Sequence, residues 1–324
     1  MSKITKIAFL LAGLLSFTAA QAGELAVTGS MQATYQNEAE GDTGNPLGMD
    51  RELKFAGSVD TDFGTVSVMQ DTSDALAFGN GQISFGLGFG EIYVGSDHDP
   101  MDAVDDITPT AFEEANGAGS GTFIDVNGAA GSMGIGFKKD IGGMKVNLKG
   151  YPRADGVKNA DKTASASAGA DAGSAGVATI TLPSINGVTV MAGYYSKDYQ
   201  GTAGEEDGDM TLALNYASGP LKIGLQAHRI EVGGPATSFT TDYDNEILGI
   251  AYAVSDELSL SVNRFQSNKN NTNGTSVRQT ADALNASYTV GGLTFGAQVS
   301  KVDDAGYTEN AKDETRTVSV KAAF

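Results

Sequence analysis

A chain of 324 residues with 40% hydrophobic residues, 43 glycines, no cysteine and no tryptophan carries a formal net charge of −19. The missing cysteine excludes a disulfide scaffold, and the negative charge excludes nucleic acid as a partner and argues against docking onto anionic headgroups. Beyond the first residues no stretch reaches the roughly 20 apolar residues of a membrane helix.

Lys3 and Lys6 precede the apolar run Ile7 to Leu15, and Ala20-Gln21-Ala22 reads as a cleavage site. This is the pattern of an export signal. Residues 1–22 are expected to be removed and 23–324 to form one domain.

The mature chain then alternates. In the first segment Leu25, Val27, Met31 and Tyr35 share one parity against Thr28, Ser30, Gln32 and Thr34. In the second, Leu53, Phe55 and Val59 oppose Lys54 and Ser58, and in later ones Val146 and Leu148 oppose Lys145 and Lys149, and Leu221 and Ile223 oppose Lys222. A period of two with one apolar face is the mark of a strand covered on one side.

Short turns are predicted at Asp60 to Gly64, Gly88 to Gly90, Asp140 to Gly143, Pro183 to Gly187 and in the hairpins Leu212 to Leu225, Leu248 to Val262 and Leu284 to Ala297. These seven alternate with eight long polar segments centred near 37–48, 72–80, 97–130, 154–176, 196–208, 232–244, 269–278 and 303–313, which joins sixteen strands. The low-complexity run Thr163 to Gly176 cannot bury much apolar area and reads as a loop. Tyr216, Tyr252 and Tyr288 recur every 36 residues beside short turns, a repeat of one hairpin plus one long loop. Charged side chains sit mid-strand on the polar face, and only a wide, wet interior accommodates sixteen such faces.

A chain crossing lipid without apolar helices must close its sheet, because the bilayer cannot satisfy open edges. The predicted fold is therefore all-β: a transmembrane antiparallel up-and-down β-barrel of about sixteen strands, with short periplasmic turns and long external loops. Tyr216, Tyr252 and Tyr288 would form an aromatic girdle at the inner interface. The chain ends on Val318, Val320, Ala322 and Phe324 at one parity, an apolar face that runs to the terminal carboxylate.

These features together resemble the general-diffusion porins of Gram-negative bacteria, most closely the alphaproteobacterial type. The segment Gly81 to Asp97 is similar to that group's strand, Phe-Gly turn and short strand entering the third loop, and Phe324 is similar to its terminal aromatic. The resemblance implies a homotrimer in the outer membrane, passing small polar solutes and ions through a water-filled pore narrowed by the third long loop. It implies an acidic constriction on that loop, with Asp97, Asp99, Asp102, Asp105, Asp106, Glu113 and Glu114 as candidates. Across the pore it implies a basic wall, for which inward parity selects Lys54, Lys138, Lys145, Lys149, Arg153, Lys222 and His228. It also implies that Phe324 is read by the outer-membrane assembly machinery. Acidic excess would favour cations mildly.

Two alternatives stay open at this level: a surface or adhesin-type structural barrel without an open pore, and a secreted soluble β-protein. With two histidines and no cysteine the sequence offers no catalytic triad or zinc set, so no enzyme and no cofactor are expected. The clustered oxygens of Asp97, Asp99 and Asp102 suit calcium as a structural ion, although their spacing is not that of an EF-hand.

Overall fold

Alternation along each segment sends one set of side chains outward and the other inward, and a tilted antiparallel sheet of enough strands closes on itself. The computed structural model describes residues 25–38, 44–72, 77–117, 123–129, 131–157, 172–199, 206–233, 241–271 and 274–324. The expected signal segment and the centre of the low-complexity run lie outside these residues.

The described residues form sixteen strands: β1 (Leu25–Glu38), β2 (Leu47–Thr61), β3 (Gly64–Thr72), β4 (Phe78–Leu87), β5 (Gly90–Gly95), β6 (Gly134–Ile141), β7 (Met144–Tyr151), β8 (Ala172–Thr181), β9 (Val188–Tyr199), β10 (Asp207–Ser218), β11 (Leu221–Val232), β12 (Thr241–Ala253), β13 (Leu258–Asn271), β14 (Ser276–Val290), β15 (Leu293–Asp303) and β16 (Lys312–Ala323). Each pairs antiparallel with its neighbours in sequence, and β16 pairs with β1 to close the barrel. All seven predicted turns and all eight predicted long connections fall between these strands. Two of the turns, Gly142-Gly143 and Gly291-Gly292, have positive φ at both residues, which matches the twist of a two-residue hairpin. One boundary differs: Ala172 to Gly176, read as loop, belongs to β8, whose register with β9 breaks between Ala172 and Ala175. Small residues in that strand carry no alternation, which is why the pattern missed them.

The outer face carries Leu25, Val27, Met31 and Tyr35 on β1 and Leu212, Leu214 and Leu225 on β10 and β11, all exposed. Tyr216, Tyr252 and Tyr288 stand on this face beside the short turns, each exposed. Toward the long loops the apolar band gives way to ion pairs: Arg264 with Asp282 at 2.7 Å, Lys301 with Asp303 at 3.0 Å and Arg316 with Glu314 at 2.6 Å.

At the seam the terminal residue forms its own rung. Phe324 N donates to Gly29 O at 2.9 Å, and Gly29 N donates to Phe324 O at 2.9 Å.

Candidate functional site

Between β5 and β6 the described residues of the third loop, 96–117, 123–129 and 131–133, turn inward and lie along the inner wall of β7 to β15. Its outbound half starts with a 3-10 turn at Pro100–Ala103, capped by Asp99, whose Oδ1 accepts from Met101 N at 3.0 Å. Met101 and Val104 are buried with Tyr195 and Val177 of the wall, which pins this turn by apolar packing.

From there the wall holds the loop by its backbone. Gln226 donates to Val104 O at 2.7 Å, Asn215 to Ile107 O at 2.7 Å, Asn263 to Pro109 O at 3.0 Å, and Gln298 to Glu113 O and Glu114 O at 3.0 Å each. Ser261 Oγ accepts from Ala111 N at 2.9 Å. The returning half runs nearer the long-loop end: Phe123 packs edge-on against Phe265 at 4.8 Å, Asn245 donates to Ile124 O at 2.8 Å, and Asp209 accepts from Asn127 N at 3.2 Å. An irregular loop inside a barrel leaves many carbonyls without partners, and inward carboxamides are suited to satisfy them.

The candidate acidic residues divide into three settings. Asp99 is buried and serves as a cap. Asp102, Asp106 and Glu113 are exposed on the loop's free face, and Asp97, Asp105 and Glu114 are half-buried. Burial raises Asp105 to about 7, and Asp102 is raised to about 6 by the protein around it and by the negative Asp99. Asp97 is likewise raised by partial burial against the pull of Lys54, and Glu113 is raised by the desolvating protein around it inside the barrel against the pull of Lys321. Glu114 is pushed well above the carboxylate range, first by burial and then by Asp106, to which it is hydrogen bonded. Asp97, Asp99 and Asp102 do not converge on one point, and among the described residues no three acidic or histidine side chains are grouped as a metal ion requires.

The basic candidates do not form one wall opposite the loop. Lys54 points inward near Asp97 and Asp71. Lys138 pairs with Glu91 at 3.0 Å. Lys149 is buried behind the loop's root, donating to His98 O with its ammonium 4.8 Å from the Tyr151 ring centre. Lys145 and Lys222 are exposed, each the second residue of its strand after a short turn. Two expectations need correction. Arg153 is not on the wall: β7 ends at Tyr151, and Arg153 lies beyond it, ion-paired with Asp155 at 3.4 Å. His228 is on the inner wall, but its side chain is fully buried against Asp125 of the returning loop, so it faces the loop rather than open water. For His228 parity located the strand face correctly and could not foresee that the loop would cover it; for Arg153 the alternation was carried past the end of the strand.

Sequence reasoning passed over Lys321, which stands on the inner face of β16 and is the cation that Glu113 feels. Its parity, opposite to Val320, was a usable signal. The wall carboxamides Asn215, Gln226, Asn245, Asn263 and Gln298 also carried inward parity, but nothing in the sequence marked them as loop anchors.

Lys149 supplies a first test. It is the buried cation beside Asp99, and removing one member of a buried charge set leaves the other uncompensated. Lys149→Met is expected to destabilise the folded barrel by about 3 kcal/mol, measured by denaturant unfolding in detergent micelles. Unfolding at the wild-type midpoint would show that solvent, not Lys149, balances Asp99.

A closed sixteen-stranded sheet with an apolar exterior, a polar interior and a charged loop folded inside is a transmembrane channel of the outer-membrane type. The model of the Gram-negative porin family matches residues 8–273. The chain belongs to the Gram-negative porin family, and it is an outer-membrane β-barrel pore. Among solved structures it is similar to OmpT, an outer membrane protein of Vibrio cholerae, at 11% identity and TM-score 0.70, covering 95% of this chain and 100% of that one. It is similar to an anion-selective porin from Comamonas acidovorans at 12% identity and TM-score 0.65, covering 93% and 100%. It is also similar to a mutant of the Rh. blastica porin at 16% identity and TM-score 0.61, again covering 93% and 100%. No curated protein matches this chain in sequence.

Proposed function

We propose that this porin passes small hydrophilic solutes and ions passively, without catalysis, and prefers cations mildly. The observation that carries the preference is the free face of the third loop. Asp102, Asp106 and Glu113 are exposed there, while Lys138 is neutralised by Glu91 and Lys149 is buried behind the loop. A constriction whose exposed loop charge is negative raises the local concentration of cations there. Fold alone does not decide the sign, since the similar Comamonas barrel is anion-selective.

Steady step-like conductance in planar bilayers distinguishes this reading from a structural barrel without an open pore. The reversal potential under a KCl gradient then reports selectivity, and a potential of the sign for anion preference would reject the cation reading. We further propose a homotrimer, as in the trimer form of the Vibrio protein. Chemical cross-linking in native outer membranes should give a three-chain species as its largest product.

A further inference from the structure

Four inward positions on neighbouring strands lie side by side across β10 to β13. Asn215 is opposite Gly224, Gly224 opposite Gly249, and Gly249 opposite Asn263. The two outer members are carboxamides that donate to Ile107 O at 2.7 Å and to Pro109 O at 3.0 Å. Between them the two glycines leave a notch, and the loop fills it with Thr108, which is 4% exposed, and Pro109. A Cβ at Gly249 would lie 2.6 Å from Pro109 O and 3.0 Å from Pro109 N, and one at Gly224 would meet the Pro109 ring and come within 3.2 Å of Thr108 Cα. Each Cβ would also meet a carboxamide of the row, Asn215 Oδ1 at Gly224 and Asn263 Nδ2 at Gly249, but the loop's own contributions are backbone and ring atoms, which cannot swing aside as a flexible side chain would. Glycine mid-strand is disfavoured for its own sake, and one explanation of its presence is close approach by another backbone.

We propose that the row Asn215, Gly224, Gly249, Asn263 is the seat that holds the middle of the third loop against the wall, and so sets the width of the open lumen. The inference rests on the pore reading above. The carboxamides fix the loop along the row and the glycines fix how far it retracts. Asp105 and Asp106 immediately precede the seated segment and Glu113 follows it, so the seat also sets how far these carboxylates project into the lumen. Elsewhere the same device recurs with softer neighbours: a Cβ at Gly193 would lie 2.7 Å from both Met101 Sδ and Val104 Cγ2, and one at Gly296 would meet the Phe112 ring.

The test is single-channel conductance of Gly249→Ala in planar bilayers, with wild-type channels and the outward-facing Gly150→Ala and Gly176→Ala as controls, where a Cβ has no neighbour within 4 Å. Overpacking forces backbone to move. Here the loop can move only toward the lumen, so conductance of Gly249→Ala is expected about 1.5-fold lower than wild type, with both controls unchanged. A compensated pair adds specificity: Gly296→Val should lower conductance, and Gly296→Val with Phe112→Ala should restore it. Wild-type or higher conductance for Gly249→Ala overturns the seat, whereas a silent wild-type protein overturns the pore reading instead. Should Gly249→Ala fail to insert, Asn215→Ala with Asn263→Ala probes the same row without adding volume. Raised open-channel noise is expected from it, and a quiet trace identical to wild type overturns the proposal.

Discussion

Deleting Phe324 is expected to cut the yield of folded, heat-modifiable barrel in outer membranes about tenfold while leaving the conductance of every inserted pore unchanged. The residue contributes the last rung of the β16–β1 seam, with reciprocal backbone hydrogen bonds to Gly29 at 2.9 Å. Each such bond is worth about 1 kcal/mol net, and together they correspond to a factor of roughly ten to thirty in equilibrium terms. Their loss also leaves Gly29 unpaired at a sheet edge that lipid cannot satisfy. The conductance expectation follows from position. Phe324 is exposed on the outer wall at the short-turn rim, on the face turned away from the lumen. Phe324→Ser keeps the backbone rung and removes only the ring, so comparing it with the deletion separates seam closure from any contribution of the aromatic ring itself. Wild-type yield of the deletion in membrane fractions would remove the seam from the account.

The barrel was legible in the sequence because its rule is local. A strand in a one-sided sheet must alternate, so Leu25, Val27, Met31 and Tyr35 announce their outward face without reference to any other strand. Turns announce themselves through Gly142-Gly143 and Gly291-Gly292, where both residues need positive φ. The interior was less legible, since the loop's partners lie about a hundred or more positions away. Asn215 and Gln226 read as ordinary polar lumen residues, yet each is committed to a loop carbonyl 108 and 122 residues earlier. Gly224 and Gly249 read as weak points of two strands, and become intelligible only beside Thr108 and Pro109. His228 kept the inward parity assigned to it and lost its access to water when Asp125 covered it. Arg153 failed for a simpler reason: β7 ended two residues before it.

The preference for cations is expected to strengthen as pH rises from 5 to 8, with a cation-to-anion permeability ratio about twofold higher at the upper end. Burial raises Asp105 from 3.8 to about 7, and burial together with the charge of Asp99 raises Asp102 from 3.8 to about 6. At pH 5 both therefore carry protons for most of the time, and by pH 8 both are ionised. Glu114, raised further still beside Asp106, keeps its proton over much of this range and contributes little to the change. The same shifts act on stability with a definite sign. A carboxyl whose pKa is higher in the folded chain binds its proton more tightly there, so folding is favoured at low pH and the contribution is lost as pH climbs through the folded value. Denaturant stability should therefore decline between about pH 4 and pH 7 as the loop carboxyls ionise, even as selectivity sharpens. Asp102→Asn with Asp106→Asn and Glu113→Gln removes the exposed charges of the loop's free face without changing their shape. In that triple variant the reversal potential should move toward zero at pH 8 and respond less to pH than in the wild type, since Asp102 no longer titrates while Asp105 and the half-buried loop carboxyls still do. A pH-independent reversal potential in the wild type would place the selective charge somewhere other than this loop, with Asp71 and Glu91 on the inner wall as the nearest candidates.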